Sequence, residues 1–139
     1  MQAATRDRVV GAIALAWNLV GVAMFALYLA MTPEQLAALP PEQSQVYAAV
    51  PAWFAPSYGT AVIAGALGSL ALLLRRRWAV AAFALSLVAV LVQMATVYLM
   101  TPAWALAGAK SLPMTVLVIA IAGFLFWYAR GAARAGRLG

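Results

Sequence analysis

Apolar residues in this chain do not alternate with polar ones, as they would along a half-buried strand; they run on. Four stretches, at roughly 9 to 31, 57 to 74, 78 to 100 and 112 to 129, consist almost wholly of aliphatic, aromatic and small residues. Each is near the ~20 residues that a helix rising ~1.5 Å per residue needs to cross a hydrocarbon core. Lipid leaves backbone groups unhydrated, so an unbroken run of this length has to be a helix. The pattern predicts an all-α polytopic membrane domain occupying residues 1–139 as one unit.

Helical spacing divides each run into faces. In the first, Gly11, Ala14, Asn18, Gly21, Phe25 and Tyr28 recur at three-four intervals, mostly small, while Val10, Ile13, Trp17, Val20 and Met24 form a bulky stripe. Small faces let helices approach closely and bulky ones suit lipid, so Asn18 is expected to point at protein, and Trp17 to lie on a different face. The second run offers Ala61, Gly65, Gly68 and Ser69 at the same kind of spacing. In the third, Ala79, Ala82, Ser86, Ala89, Gln93, Thr96 and Met100 share a face, and Phe83, Leu87, Val90, Met94 and Val97 lie elsewhere. Gly11, Gly21, Gly65, Gly68 and Ser69 are the expected helix-packing positions.

Between the first two runs, Thr32-Pro33-Glu34-Gln35 is a capping-box pattern with proline at the first helical position, so a short helix begins there. Pro40-Pro41 ends it, and "PEQSQVYAAV" can start a second. Apolar residues in this loop suit a segment lying on the membrane surface or capping the bundle. "YLAMTP" at 28–33 is echoed by "YLMTP" at 98–102, and "NLVGV" at 18–22 by "SLVAV" at 86–90. Spans one and three are then related members of two hairpins, or share only the composition common to apolar helices.

Charge fixes an orientation. Arg6 and Arg8 precede span one, Arg75, Arg76 and Arg77 join spans two and three, and Arg130, Arg134 and Arg137 follow span four, which leaves Lys110 alone on the other side. The positive-inside rule predicts both termini in the cytoplasm and the short-helix loop outside. Trp78, Trp127 and Tyr128 beside the arginines, and Tyr28, Trp53, Tyr58, Tyr98 and Trp104 at the other ends, read as interfacial anchors. The first run is longer than a signal-peptide core and lacks a small-x-small site before Thr32, so it reads as a retained span.

Composition agrees: 67% of residues are hydrophobic and 9% charged, against about 25% charged in soluble domains. The net charge of +6 sits in clusters flanking the runs, the placement of membrane-bordering charge rather than of a nucleic-acid surface. There is no Cys or His, which excludes disulfides, thiolate chemistry, the usual zinc sites and histidine-ligated haem. No cofactor is implied. Asp7, Glu34 and Glu42 are expected at opposite surfaces, with no acid pair for catalysis.

No Asp, Glu, Lys or Arg falls inside a span, so anything bound at mid-membrane would be neutral. Counting from the arginines places Asn18 and Ser86 about 14 to 15 Å deep, and Thr60, Gln93 and Thr115 about 22 to 24 Å deep. These five are the candidate solute-binding residues. Buried amides need partners, and two roles fit: interhelical ties, or groups that face a solute.

The stretches "WNLVGVAMFALYLAMTPE" and "VPAWFAPSYGTAVIAGALGSLALLLRRRWAVAAFALSLVAVLVQM" resemble a group of small bacterial four-helix membrane proteins loosely labelled sugar transporters. That resemblance implies a bacterial inner-membrane location and a facilitator of a neutral, sugar-like solute, and amide and hydroxyl groups suit such a solute. The chain departs from the small sugar facilitators in having four spans rather than three and no Pro-Gln signature in the first. Four short helices enclose little room, so transport implies a homo-oligomer. A non-transporting accessory or assembly subunit of a larger membrane complex is the other expectation.

Overall fold

The structure, a computed structural model, describes residues 2–139, and the side chains of all of these except Ala107 and Ser111. Among the described residues every regular element is helical: α1 (Ala3–Leu29), α2 (Pro33–Ala37), α3 (Pro41–Ala49), α4 (Phe54–Leu73), α5 (Trp78–Met100), α6 (Ala103–Ala107), a 3₁₀ turn (Gly108–Ser111) and α7 (Leu112–Arg134). Four of these helical stretches are long and apolar enough to cross a membrane, the make-up of an integral membrane protein. Helix α1 starts at Ala3 rather than near 9, and α7 continues to Arg134 rather than 129. Hydropathy marks the apolar part of a helix, whereas Ala and Arg, good helix formers, carry the backbone pattern on past it.

Helix α4 packs against both α1 and α5, and α7 packs on α5. Close approach to α1 rests on glycine: a Cβ on Gly11 would sit 2.9 Å from the backbone nitrogen of Leu73, with no flexible group to yield. Helix α5 is enclosed on two sides, and this explains a departure from the face pattern. Ala79, Ser86, Ala89 and Thr96 are buried as expected, but so are Phe83 and Val90 of the bulky stripe. Phe83 joins Leu125 and Ala129 of α7 in one core cluster, and Val90 meets Val118 and Ala122 in another. Met100, expected on the inner face, is half exposed.

At the arginine end the chain closes on itself. Arg75 N–H reaches Leu72 O and Arg76 N–H reaches Ala71 O, the paired bonds of a Schellman cap, with Arg75 rather than glycine in the left-handed conformation (φ 58°). Helix α7 ends in the same motif, here with Gly136 at φ 76°. The following residues fold back onto the α4–α5 turn: Gly139 N–H donates to Arg75 O and Arg77 N–H to Gly139 O, both at 2.8 Å, while Leu138 enters the core.

Asp7, expected at the surface, has a side chain that is 0% exposed. Its Oδ2 accepts from Arg137 Nε at 2.9 Å, and its Oδ1 accepts from Arg137 Nη2 and Tyr128 Oη. Tyr128 accepts in turn from Arg6 Nε at 3.3 Å, so it is a link between α1 and α7 rather than an anchor alone. The physical reason is register: Asp7 lies one turn before Gly11 on the seam Gly11–Ala14–Asn18, and a helix that starts at Ala3 carries that seam inward. The bonds to Asp7 raise the Arg137 pKa further above its ordinary value, so the cation of the pair stays charged.

The opposite end carries the short helices. Thr32 and Gln35 form the expected reciprocal capping box (3.0 and 3.1 Å), and α3 starts at Pro41. Helix α6 was not expected; Thr101 Oγ1 accepts from Ala103 N–H at its start, so both Thr-Pro echoes launch short helices. Tyr47 of α3 lies 5.4 Å from Tyr28, which also meets Phe54 and Tyr58, so the loop caps the bundle through aromatic contacts.

Candidate functional site

Helices α1 and α7 are joined through α4 and α5 and do not pack against each other along their length. Between them, over the α4–α5 pair, lies a cavity of about 340 Å³, within the size range of ligand pockets. Three of the five predicted residues line it: Asn18, Ser86 and Gln93.

Asn18 and Ser86 flank Gly65 of α4 at one level. A Cβ on Gly65 would stand 2.1 Å from Asn18 Oδ1 and 3.2 Å from Ser86 Oγ, so only glycine admits this pair. Asn18 Nδ2 donates to Ala14 O (2.9 Å) and to Ser69 Oγ (3.3 Å), and Ser69 Oγ donates to Gly65 O (2.7 Å). Because the Ser69 proton is committed to that carbonyl, its oxygen is free to accept, which assigns Nδ2 to this side of the amide. Ser86 Oγ donates across the interface to Ala61 O at 2.6 Å. Both side chains therefore tie a neighbouring helix to α4.

The tie does not use all of Asn18. Its Oδ1 accepts no hydrogen bond from any described residue, although the residue is only 9% exposed. It is not sealed either, since the one fully buried side-chain N or O atom without a partner among the described residues is Arg75 Nε. Oδ1 lies against Gly65 and close to Ser86 Oγ, and all three residues line the cavity. Gln93 is half-buried and makes no side-chain hydrogen bond with a described residue. It also lines a second cavity, of about 350 Å³, between α3, α6 and the loop ends of α4 and α5. Tyr58 is shared by both cavities in the same way, so these two side chains stand at their junction.

Thr60 and Thr115 line neither cavity. Thr60 is half-buried on α4, and the Thr115 hydroxyl is hydrogen-bonded to Tyr98 Oη at 2.8 Å. Their depth matched Gln93, but depth carries no information about which way a side chain turns. Trp17, expected on a separate face, lines the cavity beside Asn18: the opening is wider than one helical stripe, and adjacent positions border it together. The packing positions fall as spacing suggested, Gly21 against Val62, Gly68 against Phe83, and Ser69 in the Asn18 tie. Arg130 and Arg134 are exposed on the last turns of α7, at the same end as the Arg75–Arg77 turn.

Toward the arginine end the cavity meets Phe83 and Leu125, below which the core of Leu72, Ala129, Ala132 and Leu138 is dense. Fold and site together define a four-helix membrane bundle with a mainly apolar chamber, closed at the arginine end. No group of His, Cys, Asp or Glu able to hold a metal occurs among the described residues. Comparison with protein-family models, with curated proteins and with solved structures found no match to this chain.

Proposed function

We propose that this protein takes a neutral small molecule into the chamber between α1 and α7 and acts, as a homo-oligomer, as a facilitator for it. The observation that carries this reading is the pair of amides left open there, Asn18 Oδ1 and the whole head of Gln93. An unpaired buried polar group costs about 1–3 kcal/mol, and a ligand that satisfies it recovers that cost. Ionised ligands are disfavoured because no charged side chain lines this chamber. The distribution of arginines supports an orientation with both termini cytoplasmic, so that the capped end and the second cavity face outward, and the resemblance to small bacterial membrane proteins supports an inner-membrane location.

The dense arginine end favours a second reading, a non-transporting accessory or assembly subunit, because the chamber has no continuation on that side. Reconstitution of the purified chain in liposomes separates the two. Saturable equilibration of an uncharged solute, abolished by Asn18→Ala or Gln93→Ala in protein that still unfolds cooperatively, supports the first. Equal flux in both variants removes the site assignment. Absence of flux for every neutral solute tried, with recovery of a fixed protein partner after mild extraction, supports the second.

A further inference from the structure

The chamber has two unlike walls. Its polar groups come from Trp17 and Asn18 of α1, Tyr58 of α4, and Ser86 and Gln93 of α5, whereas α7 contributes Met114, Val118, Ile121 and Leu125, with nothing that can make a strong hydrogen bond. A polyhydroxyl solute presents hydroxyls on all sides, and those turned toward α7 would lose water without replacement. A molecule with one polar end and an apolar body fits both walls.

Hydrogen-bond direction narrows the polar end. Both Asn18 Nδ2 contacts are already made, and the Ser86 proton is committed to Ala61 O, so Asn18 and Ser86 can only accept from a ligand. The ligand has to bring the proton. The rim shows the way in: Val20, Met24 and Met114 line the chamber yet are 62%, 55% and 61% exposed, on two helices that do not pack against each other along their length. All three are apolar and lie in spans, so the opening faces hydrocarbon rather than water.

We infer that the ligand is an uncharged amphiphile, an apolar body carrying a hydroxyl or N–H, that enters sideways from the bilayer between α1 and α7 and donates its proton to Asn18 Oδ1. This rests on the solute-site reading of the chamber and specifies its ligand class. The test uses the full chain in phosphatidylcholine–phosphatidylglycerol nanodiscs and follows the saturable rise in unfolding temperature that a ligand of the native state produces. The probes are 4-hexylphenol, its methyl ether 4-hexylanisole, glycerol and xylose. The phenol is expected to saturate, with the ether, equal in shape but lacking the proton, weaker by about tenfold. Asn18→Ala is expected to bring the phenol-to-ether ratio close to one, a readout that a general loss of stability does not produce. Met114→Trp, which fills the rim, is expected to weaken both probes together. Equal affinity of phenol and ether for the wild type overturns the assigned hydrogen bond. Saturation by glycerol or xylose without the phenol overturns the amphiphile and leaves the solute site standing. No saturation by any probe overturns both.

Discussion

Asp7 and Asn18 lie on one seam of α1, about three turns apart, and both are buried polar residues in an apolar bundle. Around Asp7 both carboxylate oxygens have donors, from Arg137 and Tyr128, and the residues after α7 fold over the site. Around Asn18 the donors are used and the acceptor is left facing a chamber. A charge left unpaired in a low-dielectric setting costs several kcal/mol or is neutralised, whereas a neutral amide tolerates one open position at modest cost. The difference teaches that burial of a polar side chain is not by itself a sign of function. What matters is whether its hydrogen-bonding capacity is exhausted.

The comparison is most easily broken at the closed end. Arg137→Ala leaves the Asp7 carboxylate buried with only Tyr128 as donor, and should cost about 3–5 kcal/mol in stability, read by thermal unfolding in detergent micelles. Replacing Asp7 and Arg137 together with leucine should recover most of that loss, because no unpaired charge remains. At the chamber, Gly65→Ala forces its Cβ onto Asn18 Oδ1 and should cost about 1–3 kcal/mol. The double variant with Asn18→Ala should be more stable than Gly65→Ala alone, a non-additivity that two independent sites would not give. Gly136→Ala places a Cβ in the left-handed conformation that turns the chain after α7, with an expected loss of about 1 kcal/mol. The smallest effect belongs to Gln93→Ala, within about 0.5 kcal/mol of wild type because no protein hydrogen bond is lost, while solute uptake or binding falls. A large destabilisation by that substitution would mean that Gln93 is a structural tie, and the contrast between the two regions would disappear.

Much of the fold was legible because lipid simplifies the code. A run of some twenty apolar residues has one outcome, and a Thr-Pro-Glu-Gln cap has another, so the four long helices and the start of α2 follow from local physics. The small-residue seam placed Asn18, Gly65 and Ser69 on packed faces for the same reason, since only close backbone approach makes use of those side chains. The same seam, followed one turn further, would have taken in Asp7; it was obscured because hydropathy suggested that the helix began later. Phe83 and Val90 eluded the face pattern since α5 has a second neighbour, and no single-helix periodicity reports how many neighbours a helix has.

The sequence by itself determined that the chain is helical and apolar along four spans, where its arginines cluster and which faces are small. It also determined that the four apolar runs hold amides and hydroxyls but no Asp, Glu, Lys or Arg, because these properties follow from backbone solvation, side-chain volume and composition. Tertiary structure alone decided that α1 and α7 stand apart over α4 and α5, that Trp17 shares the chamber with Asn18, and that Thr60 and Thr115 lie outside it. It also decided that Arg137 reaches back to Asp7 and that Oδ1 of Asn18 is the atom left open. Those outcomes depend on the relative placement of helices far apart in the chain, and hydrogen-bond directions are fixed only once the partners are in position.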